Sequence, residues 1–504
     1  MGAISVMNDW RVLIPVGAFE SLLGAVVTED RTNGAIKINY SSYFPTDGWL
    51  TSSPEEQGIS SYTLTKLLNE IKDQQLPQDS LLVTRNGYLV SETYFYPTQQ
   101  DTKHMLFSCT KSVVSALCGI AIEEGYIEGA DQPVLSFYPE LDTADADPNL
   151  KKMTVEHLLT MTAGLNRLDG IDQNELNTAK DLPAYVLALP MFEEPGASFY
   201  YDNFAPHILM GILNRATGKN VEEYAKEKLF GPLGITDYVW STDQNGLQNG
   251  GYGIEMTPQD MAKFGYLYLK DGKWEGKQIV PRDWVQSSGE AKVKNGDRGY
   301  GYLWWIEPNI NGFSAQGANG QMIFVMPDYN AVVVITGSAE SQLTRWLQLV
   351  NRFITPSMES IAPLPEDRMA HRNLTKLSEE LGKKDAEPVS PLPNTASEIS
   401  DKQYIFTDEA AWFKELAFNF NGTDTCTMTA DGKNLIVGLD GVYRITENEA
   451  CYGRWLDDTT FELTMTGTNL IWPVKLAFVF ENNNISVTVS DKGGVYGPFT
   501  GTAK

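Results

Sequence analysis

Two hairpin signals lie far apart in the chain, and together they constrain its fold more than any other feature. The first, SLLVTRNGYLVSETYF at 80–95, is a pair of alternating runs around Asn86-Gly87. An Asn-Gly pair supplies the two left-handed residues that a tight hairpin turn needs. The second, QMIFVMPDYNAVVVITG at 321–337, is broken by Pro327, Asp328 and Asn330, which favour a turn. GYGYLWWIE at 299–307 reads as one further strand. An amphipathic helix is read over 55–73, and helical spacing dominates from 110 to about 230. Strands, then helices, then strands is the order of an α+β domain whose antiparallel sheet is completed from both ends.

A chain of 504 residues is too long for one ordinary core. The composition changes after about 365, where a polar stretch ends in Pro388, Pro391 and Pro393 and reads as a linker over 366–399. Beyond 400 come short alternating runs such as NLIVGLDGVYRI, TFELTMTG and KLAFVFENN. Strands at that spacing, with Asp-Gly and Asn-rich turns, predict a small antiparallel barrel or sandwich. The expected organisation is a first domain over 1–365, with 1–50 as an N-terminal extension, then the linker, then an all-β domain over 400–504.

The 39 Lys and Arg against 65 Asp and Glu leave a formal net charge of −26, with no basic run. Nucleic acid and anionic membrane surfaces bind through basic patches, so neither is expected as a partner. No apolar run reaches the length of a membrane span, about 20 residues. The segment 12–27 is interrupted by Pro15, Gly17, Glu20 and Gly24 and lacks a basic leader. It reads as packed structure, and the protein as cytoplasmic, or extracytoplasmic if a signal peptide has been trimmed. The four Cys and four His have no metal-site spacing, so no metal is expected. Cys118 reads as a core residue, and a Cys426–Cys451 disulfide is left open. No phosphate-loop or dinucleotide fingerprint and no G-x-S-x-G elbow is present, so no cofactor is expected.

Chemistry concentrates in LFSCTKSVVSALCGIAIEEG, residues 106–125. Ser108 opens an apolar helix, and Lys111 lies three residues on, so the two side chains share one face. A serine hydroxyl needs a base, and a lysine serves when burial lowers its pKa. A helix start adds a backbone N–H at the nucleophile, half of an oxyanion hole. The structural alternative is a snorkelling Lys beside an N-capping Ser. Tyr201-Asp202-Asn203, before another apolar helix, is the only Y-x-N in the chain. Its phenol is suited to relaying a proton and its amide to holding Lys111, although a buried Tyr with a satisfied hydroxyl explains the motif as well. In FSAQGANGQMIFVMP (313–327), Gly317 and Gly320 precede a strongly β run, as a ligand-contacting strand or a plain bulge would.

This trio, in this order, resembles the serine β-lactamase-related superfamily. The similarity is greatest to its class C-like branch, which includes D-Ala-D-Ala carboxypeptidases, family VIII-type esterases and 6-aminohexanoate-dimer hydrolases. TVEHLLTMTAGL (154–165), EPGASFYYDNFAPHILMGILNRATG (194–218) and GGYGIEMTPQDMAKFGYLYLKDG (250–272) carry the resemblance further, over roughly 50–350. The 400–504 segment is similar to the β-rich extension of some bacterial members. The resemblance implies a β-lactamase/transpeptidase-like domain with Ser108 as nucleophile, Lys111 as its base or base partner, Tyr201 as proton shuttle and Asn203 as positioning group. It places the family's third motif on Ala315-Gln316-Gly317, followed by Asn319-Gly320-Gln321, with the Ala318 N–H completing the oxyanion hole. Gln316, Gly317, Tyr252 and Trp304 are pocket candidates, although core packing also accounts for Tyr252, Trp304 and Trp305. His104 and His157 read as structural.

The chain departs from the family pattern at Ala315, where the resemblance implies that β-lactamases and peptidases carry a Lys or His that handles a substrate carboxylate, while the branch resembling the 6-aminohexanoate-dimer hydrolases tolerates an apolar residue. The implied function is therefore a serine hydrolase of small carboxylic esters or linear amides, acting through an acyl-enzyme. The alternatives are a D-Ala-D-Ala carboxypeptidase or β-lactamase, for which Arg298 would have to supply the missing charge, and a ligand-binding protein on the same fold. The expected partner is a small ester, amide or peptide-like molecule; the oligomeric state is open.

Overall fold

The computed structural model describes residues 43–167, 173–338, 343–358, 360, 362–447, 449–467, 473–491 and 493–504, and before these only the backbone of strands at 5–6, 12–13, 25–30 and 35–40. Most of the segment read as packed structure at 12–27 lies outside the described residues. The chain divides into two compact units: Met1–Thr93 with His104–Ser378, and Tyr94–Lys103 with Glu379–Lys504.

In the first unit both hairpins form as read. Strand β1 (Gln78–Arg85) turns through Asn86 and Gly87, both at positive φ, into β2 (Tyr88–Tyr94). Helices α1 (Cys109–Glu123), α2 (Phe204–Thr217) and α3 (Pro258–Leu269) follow. The chain then lays down β3 (Val293–Asn295), β4 (Arg298–Tyr300), β5 (Trp305–Glu307), β6 (Gly312–Gly317), β7 (Gln321–Met326) and β8 (Ala331–Gly337). These eight strands make one antiparallel sheet in the order β3-β4-β5-β6-β7-β8-β1-β2. β8 pairs with β1, Val333 opposite Val83, so the two ends of the segment close the sheet. Helix α3 lies on β7 and β8, where a Cβ at Gly265 would collide with Ile323 and Val332.

The single strand expected at 299–307 is two strands with a turn between them. Gly301 N–H bonds the Trp304 carbonyl, and Leu303, at positive φ, donates to Leu159 O at 3.0 Å. That second contact is tertiary, so local alternation could not report it.

The stretch 366–399, expected as a linker, contains the helices Arg368–Leu381 and Asn394–Ile399. In the first, Ala370, Leu374 and Leu377 are buried at helical spacing among charged neighbours. In the second unit, ten strands from Gln403–Phe406 to Gly494–Ala503 form one sheet. It closes through a parallel pairing of Val437 with Cys451, which makes a barrel and not a sandwich. Its interior is apolar, with Phe418, Phe461, Leu463, Phe478 and Val487 fully enclosed and Ala396 and Ile399 packed into the same core.

Cys426 and Cys451 are free thiols. Each sits directly opposite Val437, on either side of it. Two strand spacings, roughly 9–10 Å, therefore separate them, beyond disulfide reach. Among the described residues no helix is long and apolar enough to cross a membrane.

Candidate active site

Helix α1 is buried from Cys109 to Ala121, so its polar residues need partners inside the protein. The chain enters it through His104–Met105, paired with Met256 and Glu255, and through Leu106 N–H to Ile254 O at 2.7 Å. Phe107 then adopts positive φ, and Ser108 begins the helix without a side-chain capping bond. Its Oγ instead accepts from Lys111 Nζ at 2.9 Å. Lys111 is 1 % exposed. It does not snorkel to water.

Two more acceptors surround the amine: Asn203 Oδ1 at 2.7 Å and Gly251 O at 2.7 Å. Burial lowers the Lys111 pKa from its ordinary 10.5 to about 7, with Asp202 and Cys109 pulling the other way. Asp202, between the two motif residues, is half-buried and accepts the Phe204 and Ala205 N–H groups at 2.6 and 2.7 Å. It thus satisfies the start of α2. Burial raises its pKa.

Tyr201 and Ser108 are joined by a side-chain hydrogen bond, and burial raises the phenol well above its usual pKa. The Tyr201 ring lies 4.8 Å from Lys111 Nζ and stacks on Trp305 at 5.7 Å. Trp304, read as a pocket candidate, points the other way. It is 0 % exposed and packs on Phe264, Tyr268 and Phe313. Trp304 closes the turn before β5 and points into the core, and it is Trp305, the first residue of β5, that faces Tyr201.

The third motif reaches the same place along β6. A Cβ at Gly317 would collide with Leu106 O, and Cys109 Sγ lies 3.4 Å from Gln321 O. Ala318, Asn319 and Gly320 form a tight turn between β6 and β7, with Asn319 at positive φ. The Ala315 side chain is buried. Gln316 donates to Glu307 and to Ser314 Oγ, and Arg298 donates to the same Glu307 oxygen. The Arg298 guanidinium also covers the Trp305 ring at 4.6 Å.

A cavity of about 390 Å³ adjoins the Lys111 acceptors. Asn203, Gly251 and Tyr252 line it together with Phe204, His207 and Asp243. Tyr252, read as a pocket candidate, lines this cavity, whose lining does not include Ser108. His104 is buried 3.5 Å from Asp79, and His157 caps its own helix through Thr154. Among the described residues no group of three His, Cys, Asp or Glu side chains converges as a metal-ligand set.

Sequence reasoning missed Asp202, Glu307 and the His207–Asp243 pair. Asp202 had a local signal, an acidic residue just ahead of a helix. The others depend on contacts between distant segments.

A family model described as Beta-lactamase matches residues 64–345. The chain is 26 % identical over 321 residues to a 6-aminohexanoate-dimer hydrolase of Paenarthrobacter ureafaciens, covering 58 % of this chain and 81 % of that protein. It is 27 % identical over 212 residues to Esterase EstB of Burkholderia gladioli, covering 36 % and 53 % respectively. A crystal structure of a penicillin-binding protein homologue from Caulobacter crescentus superimposes with a TM-score of 0.51 at 15 % identity, covering 61 % of this chain and 98 % of the other. That likeness is one of fold.

Proposed function

The chain belongs to the beta-lactamase family and is a hydrolase of that family; from that premise we propose that it cleaves small carboxylic esters or linear amides through an acyl-enzyme on Ser108. The observation that carries this reading is the setting of Lys111. A neutral amine has two N–H bonds and one lone pair, one donor fewer than the ammonium. With Asn203 Oδ1 and Gly251 O taking the two N–H bonds, the lone pair is left facing Ser108 Oγ at 2.9 Å. A pKa of about 7 keeps a large share of the amine neutral at physiological pH.

In acylation, Ser108 Oγ attacks the carbonyl carbon as its proton passes to Lys111 Nζ. The N–H groups of Ser108 and Ala318 receive the oxyanion. The tetrahedral centre collapses, and the departing alkoxide or amine takes its proton from the Tyr201 hydroxyl, which is replenished from Lys111. Water then attacks the acyl carbonyl, its proton is accepted by the same groups, and the carboxylic acid leaves with Ser108 restored. The raised pKa of the half-buried phenol suits this role, because Tyr201 carries the proton and does not hold a charge.

Two observations favour ordinary esters and amides over substrates recognised by a carboxylate. The third-motif position is a buried Ala315, and Arg298, the candidate replacement, is engaged by Glu307. The relative named as an esterase agrees with that preference, and the one named as a 6-aminohexanoate-dimer hydrolase agrees with cleavage of a linear amide. The test is turnover of a chromogenic short-chain ester and of a chromogenic cephalosporin by the protein and by Ser108→Ala. Ester release that vanishes in the variant is the expected result. Efficient cephalosporin hydrolysis that exceeds ester turnover would move the protein to the cell-wall branch.

A further inference from the structure

Of the two acceptors that orient Lys111, Gly251 follows a residue whose N–H is held by a buried pair of side chains outside the three motifs, and Asn203 lies one helical turn from that pair. We propose that His207 and Asp243 form a positioning pair, which sets the Asn203 and Gly251 oxygens against the Lys111 amine. The inference rests on Lys111 acting as the base.

His207 lies four residues after Asn203 on α2, so the two side chains occupy one face, one turn apart. Its Nε2 is 3.2 Å from Asp243 Oδ2, and both side chains are 5 % exposed. Its Nδ1 lies 3.4 Å from the backbone nitrogen of Gly250 and accepts that N–H. The next residue, Gly251, is the one whose carbonyl accepts from Lys111. In the tautomer that serves this pairing, Nε2–H donates to Asp243 and Nδ1 accepts from Gly250.

Asp243 is in turn held by its own loop. Oδ1 accepts the N–H groups of Asn245 and Leu247 at 2.8 and 3.1 Å. The segment it clips is pressed tightly against α2. A Cβ at Gly250 would collide with Pro206 O, and one at Gly251 would meet Asn203. Asp243, His207, Gly250–Gly251 and Lys111 therefore form a continuous chain of contacts ending at Ser108. Loosening it leaves the amine free to rotate its lone pair away from Ser108 Oγ, and small misplacements of a base carry large rate penalties.

The charged and titratable groups around His207 are Asp243 and Asp181; those around Lys111 are Asp202, Cys109 and Tyr201. His207 and Asp243 also line the cavity of about 390 Å³ beside Asn203 and Gly251. Tyr252, on the same cavity, is 45 % exposed, so a small molecule has a route in from solvent. Shortening His207 adds its volume to that cavity and makes room for free imidazole.

The experiment follows hydrolysis of 4-nitrophenyl butyrate across pH by the full chain, His207→Ala, Asp243→Asn and Lys111→Ala. His207→Ala is expected to lower kcat/KM about 10- to 100-fold, mostly through kcat, with a displaced acid limb and a gain in rate on adding imidazole. Asp243→Asn is expected to act alike without imidazole rescue. An amide N–H facing Nε2 favours the other tautomer, whose Nδ1–H opposes the Gly250 N–H. This second variant decides the matter if His207→Ala does not fold.

Wild-type rates and acid limbs in both variants would overturn the pairing. So would a slowed His207→Ala whose acid limb is unmoved and which ignores imidazole, because that is a purely structural defect. Full activity in Lys111→Ala would remove the reading beneath the inference as well. An inactive Lys111→Ala beside fully active His207→Ala and Asp243→Asn would remove the inference alone.

Discussion

Helix α1 and the interior of the C-terminal barrel are both closed off from solvent, yet one holds a lysine near its start and the other a cluster of phenylalanines. Around Phe418 the neighbours are Phe420, Phe461, Phe478 and Phe480, rings in contact at 5.0–5.9 Å. Such burial stabilises by area and is nearly indifferent to direction. Around Lys111 every partner is a named atom at a fixed distance: Ser108 Oγ, Asn203 Oδ1 and Gly251 O. Burying an amine opposes folding unless it is hydrogen-bonded or gives up its charge, and Lys111 does both. The barrel spends its interior on stability, while the first unit gives part of its interior to a group whose state can change.

The largest effect expected on that contrast comes from removing the amine. Lys111→Ala should lower kcat/KM on a short-chain ester by about 10²- to 10⁴-fold, the usual worth of a general base. A variant that keeps its rate without Lys111 would erase the distinction between the two interiors. Next is Tyr201→Phe, which keeps the ring on Trp305 and deletes only the hydroxyl. A loss of about 10²-fold is expected, larger for an amide, whose leaving amine needs the proton, than for an activated nitrophenyl ester.

The pH dependence sharpens the comparison further. Neutral Lys111 is the active form, so kcat/KM should fall below pH about 7, approaching tenfold per unit as the amine is protonated. The same depressed pKa makes the unfolded chain bind more protons than the folded one between pH about 7 and 10.5. Stability should therefore rise with pH through that window by a Lys111-dependent amount, absent in Lys111→Met when the two melting curves are compared. The smallest effect on catalysis is expected from the barrel. Phe418→Ala should cost about 3–5 kcal/mol of barrel stability in a denaturant titration and leave the acid limb where it was. A displaced acid limb in that variant would mean that the apolar interior also tunes the base.

Much of this was legible in the chain because its signals are local. Ser108 and Lys111 are one helical turn apart, Asn86-Gly87 encodes its own turn, and the alternating runs beyond residue 400 announce strands whatever they pair with. The sequence offered Trp304 and Trp305 alike as pocket or core aromatics, and only the packed fold settles that Trp305 is the one that meets Tyr201. The break at Gly301–Trp304 depends on Leu159, more than a hundred residues earlier. The helix Arg368–Leu381 hid because three buried residues sit among charged ones, which composition averages into a linker. Closure of the barrel through Val437 and Cys451 is a matter of register, and register leaves no local trace.

The most direct measurement is the rate at which a serine-reactive alkyl phosphonate labels the intact protein across pH, read by mass and mapped to a residue. A single adduct on Ser108 is expected, absent in Ser108→Ala, forming at half its maximal rate near pH about 7, where Lys111 loses its proton. A protein that stays unlabelled at every pH, or is labelled elsewhere than Ser108, would contradict a lysine-activated serine at the start of α1.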